Sequence, residues 1–367
     1  MSSVKKNILI VSSEFPPQPG GIGNHAYHLA LYLSKENYSV RVIADQRSLT
    51  GEEEALFDAT LPFAVVRIKR YSLRFRMYLK RLAVTFKCFN DASHVLATGK
   101  FSLWNVAFVS LFHKNKTLAI VHGSEVNFNP FLLRHSIDLA LKQFDTIVAV
   151  SHYTKSLMQH LEREIIVIPN GIQLEQWITH DLEEMPLQGN PVLTTVGRVS
   201  SRKGQLNVIK QLPELIKIFP ELHYHCVGIP TEADTFLEEA KLLGVETHIT
   251  FHGSVTDLVL KQILNVTDIF VMLSSESETG DVEGFGIAIL EANALGIPAI
   301  GSKHCGIEDA IKPNVSGVLI DTGNTKQLIK SIANILQAKD SYKKGSKHWA
   351  TQHDWSDIIK RYIALLP

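Results

Sequence analysis

Cysteine is scarce: Cys88, Cys226 and Cys305 are the only three in 367 residues, far apart and without metal-ligand spacing. That argues against a disulfide framework and fits a reduced, cytoplasmic protein. Neither sign of charge predominates, with 37 Lys plus Arg against 37 Asp plus Glu, so no global field draws the chain to nucleic acid. No apolar run approaches the ~20 residues a membrane span needs. The opening Met1-Ser-Ser-Val-Lys-Lys-Asn7 runs into a strand-like Ile8–Val11, with no leader-peptide pattern. A cytoplasmic protein is expected, at most peripheral on the inner face of a membrane.

What is present is a globular composition, 45% hydrophobic and 20% charged, in a chain longer than one core usually supports. Short β-branched runs alternate with helical patterns, the signature of parallel sheets covered by helices. Strands are expected near Ile8–Ser12, Ser39–Ala44, His94–Ala97, Thr117–Val121, Thr146–Val150 and Ile165–Ile168. After a connector from Pro169 to Pro191 they resume at Val192–Val196, His223–Val227, Ile249–Phe251, Ile269–Leu273, Ala299–Gly301 and Val318–Ile320. This α/β pattern reads as two Rossmann-like, doubly wound domains. The last helical pattern, Trp355–Leu366, has an apolar face that must pack somewhere.

Four constellations carry chemistry. In Asp281-Val-Glu283-Gly284-Phe285-Gly286-Ile287, with Glu291 beyond, two carboxylates flank a glycine turn that opens a helix. Backbone N–H groups there favour a phosphate, and the carboxylates can accept from hydroxyls, which together describe a nucleotide-sugar. Asp281 and Glu283 also resemble a metal-holding acidic pair, but the second Glu eight residues on suits sugar hydroxyls better, so no metal is expected. Gly197-Arg198-Val-Ser-Ser-Arg202-Lys203-Gly204 ends a strand with cations suited to phosphate oxygens, Arg202 reading as the solvated one. His122-Gly-Ser124-Glu125 follows another strand, where ligands gather in open sheets. The loop Gly20-Gly21-Ile-Gly23-Asn24 leads into a helix after the first strand. Asp45 follows at the distance of a ribose-binding acid, which keeps a nicotinamide-dependent Rossmann enzyme as an alternative despite the wrong glycine spacing.

The segment Arg67–Lys87 holds no acid. Tyr71, Phe75, Leu79, Leu82 and Phe86 recur at helical spacing, with Arg74, Arg76, Lys80 and Arg81 around them. Two readings stand: a core-packed amphipathic helix with a charged outer face, or a helix that meets an anionic membrane or a phosphorylated acceptor.

Gly-Gly-x-Gly, His-Gly-Ser-Glu, Val150-Ser-x-x-Thr154, Pro169-Asn170-Gly171, Gly-Arg-x(4)-Lys-Gly and Glu-x(7)-Glu occur in this order. The set resembles the retaining GT-B glycosyltransferases of family 4 (glycosyl transferases group 1) over nearly the whole chain. The resemblance implies two Rossmann-like domains facing a cleft, residues 1–172 for the acceptor and 173–348 for the donor, with 349–367 crossing back onto the first. It implies hexosyl transfer from a GDP- or UDP-linked sugar to a glycan or lipid-linked acceptor, with no cofactor. Arg198 and Lys203 would neutralise the diphosphate, helped by the turn Gly284-Phe285-Gly286-Ile287 and by Gly20 and Gly21. Glu283 would hold sugar hydroxyls and Glu291 the ribose. His122 would contact the donor sugar, and Asn24, Ser124, Glu125 and Asn170 would lie on the acceptor side. Nucleotide-sugar epimerisation and a non-catalytic binding module of the same fold remain alternatives.

Overall fold

Parallel strands buried on both faces require continuous apolar runs rather than alternation, and Val95-Leu96-Ala97 and Ile269-Phe270-Val271-Met272 are such runs, inaccessible throughout. The computed structural model describes residues 6–71, 73–127, 130–178, 182–183, 185–277 and 280–366, the Arg74 side chain excepted. A seven-stranded sheet contains β1 (Asn7–Ser12), β2 (Ser39–Asp45), β3 (Ala64–Ile68), β4 (His94–Thr98), β5 (Lys116–Val121), β6 (Thr146–Ala149) and β7 (Ile166–Val167). A six-stranded sheet contains β8 (Val192–Val196), β9 (His223–Val227), β10 (Ile249–Gly253), β11 (Ile269–Met272), β12 (Ala299–Ser302) and β13 (Gly317–Ile320). All pairings within both are parallel. The orders β3-β2-β1-β4-β5-β6-β7 and β10-β9-β8-β11-β12-β13 each reverse once, between β1 and β4 and between β8 and β11. Ligands of open α/β sheets collect outside the strand ends at such points.

The chain forms two compact units, one running to Asn170 and resuming at Trp355, the other Gly171–Asp354. The second unit is wider than the expected 173–348, and the returning segment shorter than the expected 349–367. Ile172 N–H donates to the His353 carbonyl at 2.9 Å and Leu174 N–H to the Asp354 carboxylate at 3.1 Å, so both connecting strands belong to the second unit until Asp354. The terminal helix Trp355–Ile363 belongs to the first. Its buried residues Trp355, Ile358, Ile359 and Tyr362 follow helical spacing, and the Trp355 ring lies 5.2, 5.7 and 6.1 Å from those of His25, His28 and Tyr32.

Two expectations need correction. β3 carries no clear strand signal in the sequence, because this edge is half-exposed and its Arg67 opens the basic segment. The helix itself, Arg74–Phe89, has the expected period but turns another face inward. Arg81, Thr85, Cys88 and Phe89 are buried while Phe75 stays 68% exposed, with Leu79 and Phe86 also in solvent. Arg81 therefore faces no membrane: its guanidinium is doubly bonded to Asp45, Nε at 2.8 Å from Oδ1 and Nη2 on Oδ2. That bond also occupies the carboxylate that a nicotinamide ribose would need.

His25 and His28 sit under Trp355 with their pKa values lowered to about 4, mainly by burial. For His25 the bond to Asn170 opposes the shift and nearby His28 adds to it, while Lys35 adds to that of His28. The unfolded chain takes up these protons near pH 6.5 and the folded one only near 4. The stability they contribute is therefore whole above pH 6.5 and drains as pH falls toward 4. Each costs about 1.4 kcal/mol per pH unit in that window. In His28→Phe, denaturant titrations at pH 7 and 5 should show an acid slope shallower by one proton; an unchanged slope would mean His28 titrates normally.

Candidate active site

Strand β8 delivers Gly197 and Arg198 to the sheet's carboxyl edge, and a single turn, Ser201–Lys203, follows. The turn closes on Gly204, at φ +83°, where a Cβ would stand 2.0 Å from the Leu273 carbonyl oxygen beyond β11. Only glycine lets this loop seat on the neighbouring strand end. The seating brings Lys203 Nζ to 2.7 Å and Arg202 Nη1 to 2.5 Å from the same oxygen, Glu283 Oε2. Arg202 Nε also lies 3.2 Å from Asp281. Burial would push the Glu283 carboxyl up; Lys203 and then Arg202 more than offset this and hold it down at about 2. Arg202, expected to be solvated, is thus the second cation of the site. The Arg198 side chain is exposed and, among the described residues, forms no ion pair.

Glu283 leads into Gly286, at φ +90°, and the helix Ile287–Leu295. Phe285 is buried against His353 at 6.2 Å between ring centroids, so its side chain anchors the turn and leaves only backbone to a ligand. One helical turn in, Glu291 is pushed up to about 7, mainly by burial, with Lys203 opposing and Asp257 adding.

In the first unit, Gly20 caps the helix Gly21–Lys35. Gly21 is exposed and Asn24 half-buried. His122 is buried at the end of β5, its Nε2 2.7 Å from the Thr98 hydroxyl and its ring 5.0 Å from that of His25. Burial first, then His25, keeps it neutral far below the usual imidazole range. Glu125 Oε2 accepts the His122 backbone N–H at 3.0 Å. Ser124 and Glu125 line a pocket together with Ser13, Gly99 and Lys100. Asn170 does not join them: its amide oxygen is 2.8 Å from His25 Nδ1, and Tyr362 Oη approaches His25 Nε2 at 3.3 Å.

Two sequence models match consecutive stretches of this chain. Residues 19–176 fit the family described as Glycosyltransferase Family 4, and residues 181–350 the family described as Glycosyl transferases group 1. Together the two matches span most of the chain, which is a glycosyltransferase. A relative from Mycobacterium tuberculosis, a GDP-mannose-dependent alpha-(1-6)-phosphatidylinositol monomannoside mannosyltransferase, is 23% identical over 98% of this chain and 97% of its own. One from Corynebacterium glutamicum, described as acting on the monoacylated form, is 24% identical over 91% and 90%. Among solved structures, Anabaena Alr3699/HepE in complex with UDP and glucose has a TM-score of 0.78 at 19% identity, covering 98% of this chain and 99% of that one. That likeness establishes the GT-B fold.

Sequence reasoning missed one partner in the site of this glycosyltransferase. Arg202 bridges Asp281 and Glu283, a role signalled only by its place beside Lys203.

Proposed function

We propose that this glycosyltransferase moves a hexose from a GDP-linked donor to a glycan or lipid-linked acceptor, with retention at the reacting carbon and without a metal. The observation that carries the reading is the cluster of Arg202 and Lys203 on Glu283 beside the β8–β11 switch point. A departing diphosphate develops negative charge that fixed cations and helix N–H groups can stabilise. The acids that resembled a metal site already have cations on them. The Asp-Val-Glu-Gly-Phe-Gly form and the mannosyltransferase relatives favour GDP over UDP. Retention fits attack on the face the diphosphate leaves, its oxygen taking the acceptor's proton, since no carboxylate stands out as a nucleophile.

Thermal shifts with GDP, UDP, ADP and NAD test the donor. A ligand at 100 times its Kd should add about 2.7 kcal/mol of stability. The expected result is a shift with GDP that disappears in Arg198→Ala/Lys203→Ala. A shift with NAD alone would return the dehydrogenase reading, and sugar conversion without acceptor would make the enzyme an epimerase.

A lipid-linked acceptor accords with the outer face of the first unit. Phe75, Leu79 and Phe86 are joined by exposed Phe108 of the adjoining helix Lys100–Ser110 and by Leu111 and Phe112 just after it, with Phe86 and Phe112 rings 6.0 Å apart. Exposed Arg76, Lys80, Lys87 and Lys114 surround them. Among the described residues no helix is long and apolar enough to cross a membrane, so the contact proposed is peripheral. At about 1 kcal/mol per basic residue, Arg76→Glu/Lys80→Glu should weaken flotation with anionic vesicles by about tenfold or more. A parent protein that does not float would remove the membrane from the proposal.

A further inference from the structure

Beyond the carboxyl ends of β1, β2, β4 and β5, within the first unit, lies an open pocket of about 580 Å³, the size of a small-molecule site. Its charges do not cancel. Asp45 and Arg81 neutralise each other in their doubly bonded pair. Arg47 and Arg70 remain, both exposed into the pocket and, among the described residues, without a carboxylate partner. Arg70 Nη1 donates to the Arg47 carbonyl at 3.1 Å, which keeps the two guanidinium groups on one rim. Lys100 adds a third cation to the wall and Glu14 a carboxylate, so cations stay in excess.

The floor is Glu125, 1% exposed. One of its oxygens holds the His122 backbone, and the other, Oε1, is buried with no hydrogen-bond partner among the described residues. Such an atom costs stability unless a ligand group meets it. Burial foremost, helped by Glu14 and opposed by the two backbone N–H bonds and Lys100, raises this carboxyl to about 7. Near neutral pH it therefore adds only part of a negative charge to the pocket.

We propose that this pocket seats an acceptor bearing both a hydroxyl and a phosphate, Glu125 Oε1 meeting the hydroxyl while Arg47 and Arg70 fork the phosphate oxygens. The proposal rests on the transferase reading above. Its chemistry is shared by a soluble sugar phosphate and a phosphodiester lipid headgroup, and the test separates them.

The full chain, its donor site filled with GDP, is titrated with glucose 6-phosphate and with glucose; phosphatidylglycerol vesicles form the second arm. The expected result is at least about tenfold tighter binding of the phosphate-bearing ligand, the worth of a charge-assisted fork. Arg47→Gln/Arg70→Gln should lose that preference, and Glu125→Gln should weaken the phosphorylated and plain ligands alike. Preference in the glucose 6-phosphate arm assigns a soluble acceptor. A loss of vesicle binding in the double variant, without glucose 6-phosphate binding, assigns a lipid headgroup. Glucose 6-phosphate binding no tighter than glucose, together with unchanged vesicle binding in the double variant, overturns the proposal. GDP affinity is measured first in every protein: an unchanged value shows the fold intact. Absent GDP binding in the parent sinks the donor reading, and the two arms, repeated without nucleotide, still decide the pocket.

Discussion

Replacing Lys203 with alanine is expected to cut transfer by about 10²- to 10³-fold, the usual loss when one preorganised charge is removed from a developing anion. Lys203 is the more enclosed of the two cations, at 16% side-chain exposure against 25% for Arg202, and its attraction is the largest single pull holding the Glu283 carboxyl down. Its removal has two consequences. The diphosphate loses a point charge, and Glu283 titrates at higher pH because Arg202 alone remains. The rate loss should therefore come with a shifted acid limb in the pH profile. Arg202→Ala should cost less, since half of its bonding is to the half-exposed Asp281. Steady-state rates of both variants with GDP-linked donor, read beside their GDP affinities, check this. Equal activity of Lys203→Ala and parent would remove Lys203 from the donor site.

The second large effect concerns Trp355, which is 1% exposed. Truncation to alanine would open a cavity among His25, His28 and Tyr32, a loss of about 3–5 kcal/mol for a buried aromatic. Its indole Nε1 is buried without a partner among the described residues, so Trp355→Phe removes an unsatisfied donor and keeps most of the packing. That variant should stay within about 1.5 kcal/mol of the parent. Hydrogen exchange over residues 355–366 reads the difference: rapid exchange in the alanine variant and near-parent protection in the phenylalanine one. Equal exchange in all three would mean that the helix is held without its tryptophan.

Most of the architecture was legible because parallel sheets write themselves as buried β-branched runs; all strands but β3 were found within a residue or two. The chemistry was legible where glycine marks a backbone constraint, as at Gly204 and Gly286. What stayed hidden depends on partners distant in sequence. Nothing local in Arg202 says that it meets Asp281 and Glu283 some eighty residues on. The same holds for Arg81, whose place in a basic stretch concealed a bond to Asp45. The helix Arg74–Phe89 shows the limit of periodicity, which identifies a helix but not the face that packs, because apolar residues lie on its outer face as well.

The return of the terminal helix to the first unit bears on the order of events during synthesis. Residues up to Asn170 emerge from the ribosome first, yet the surface formed by His25, His28 and Tyr32 waits for Trp355, 185 positions after Asn170. At about 5–20 residues per second, that interval is roughly ten to forty seconds. Throughout it, an apolar surface and two histidines that the last helix will bury stand in water while the whole second unit is made. The nascent chain thus carries a defined, temporary binding surface on the helix Gly21–Lys35, which the last helix later occupies.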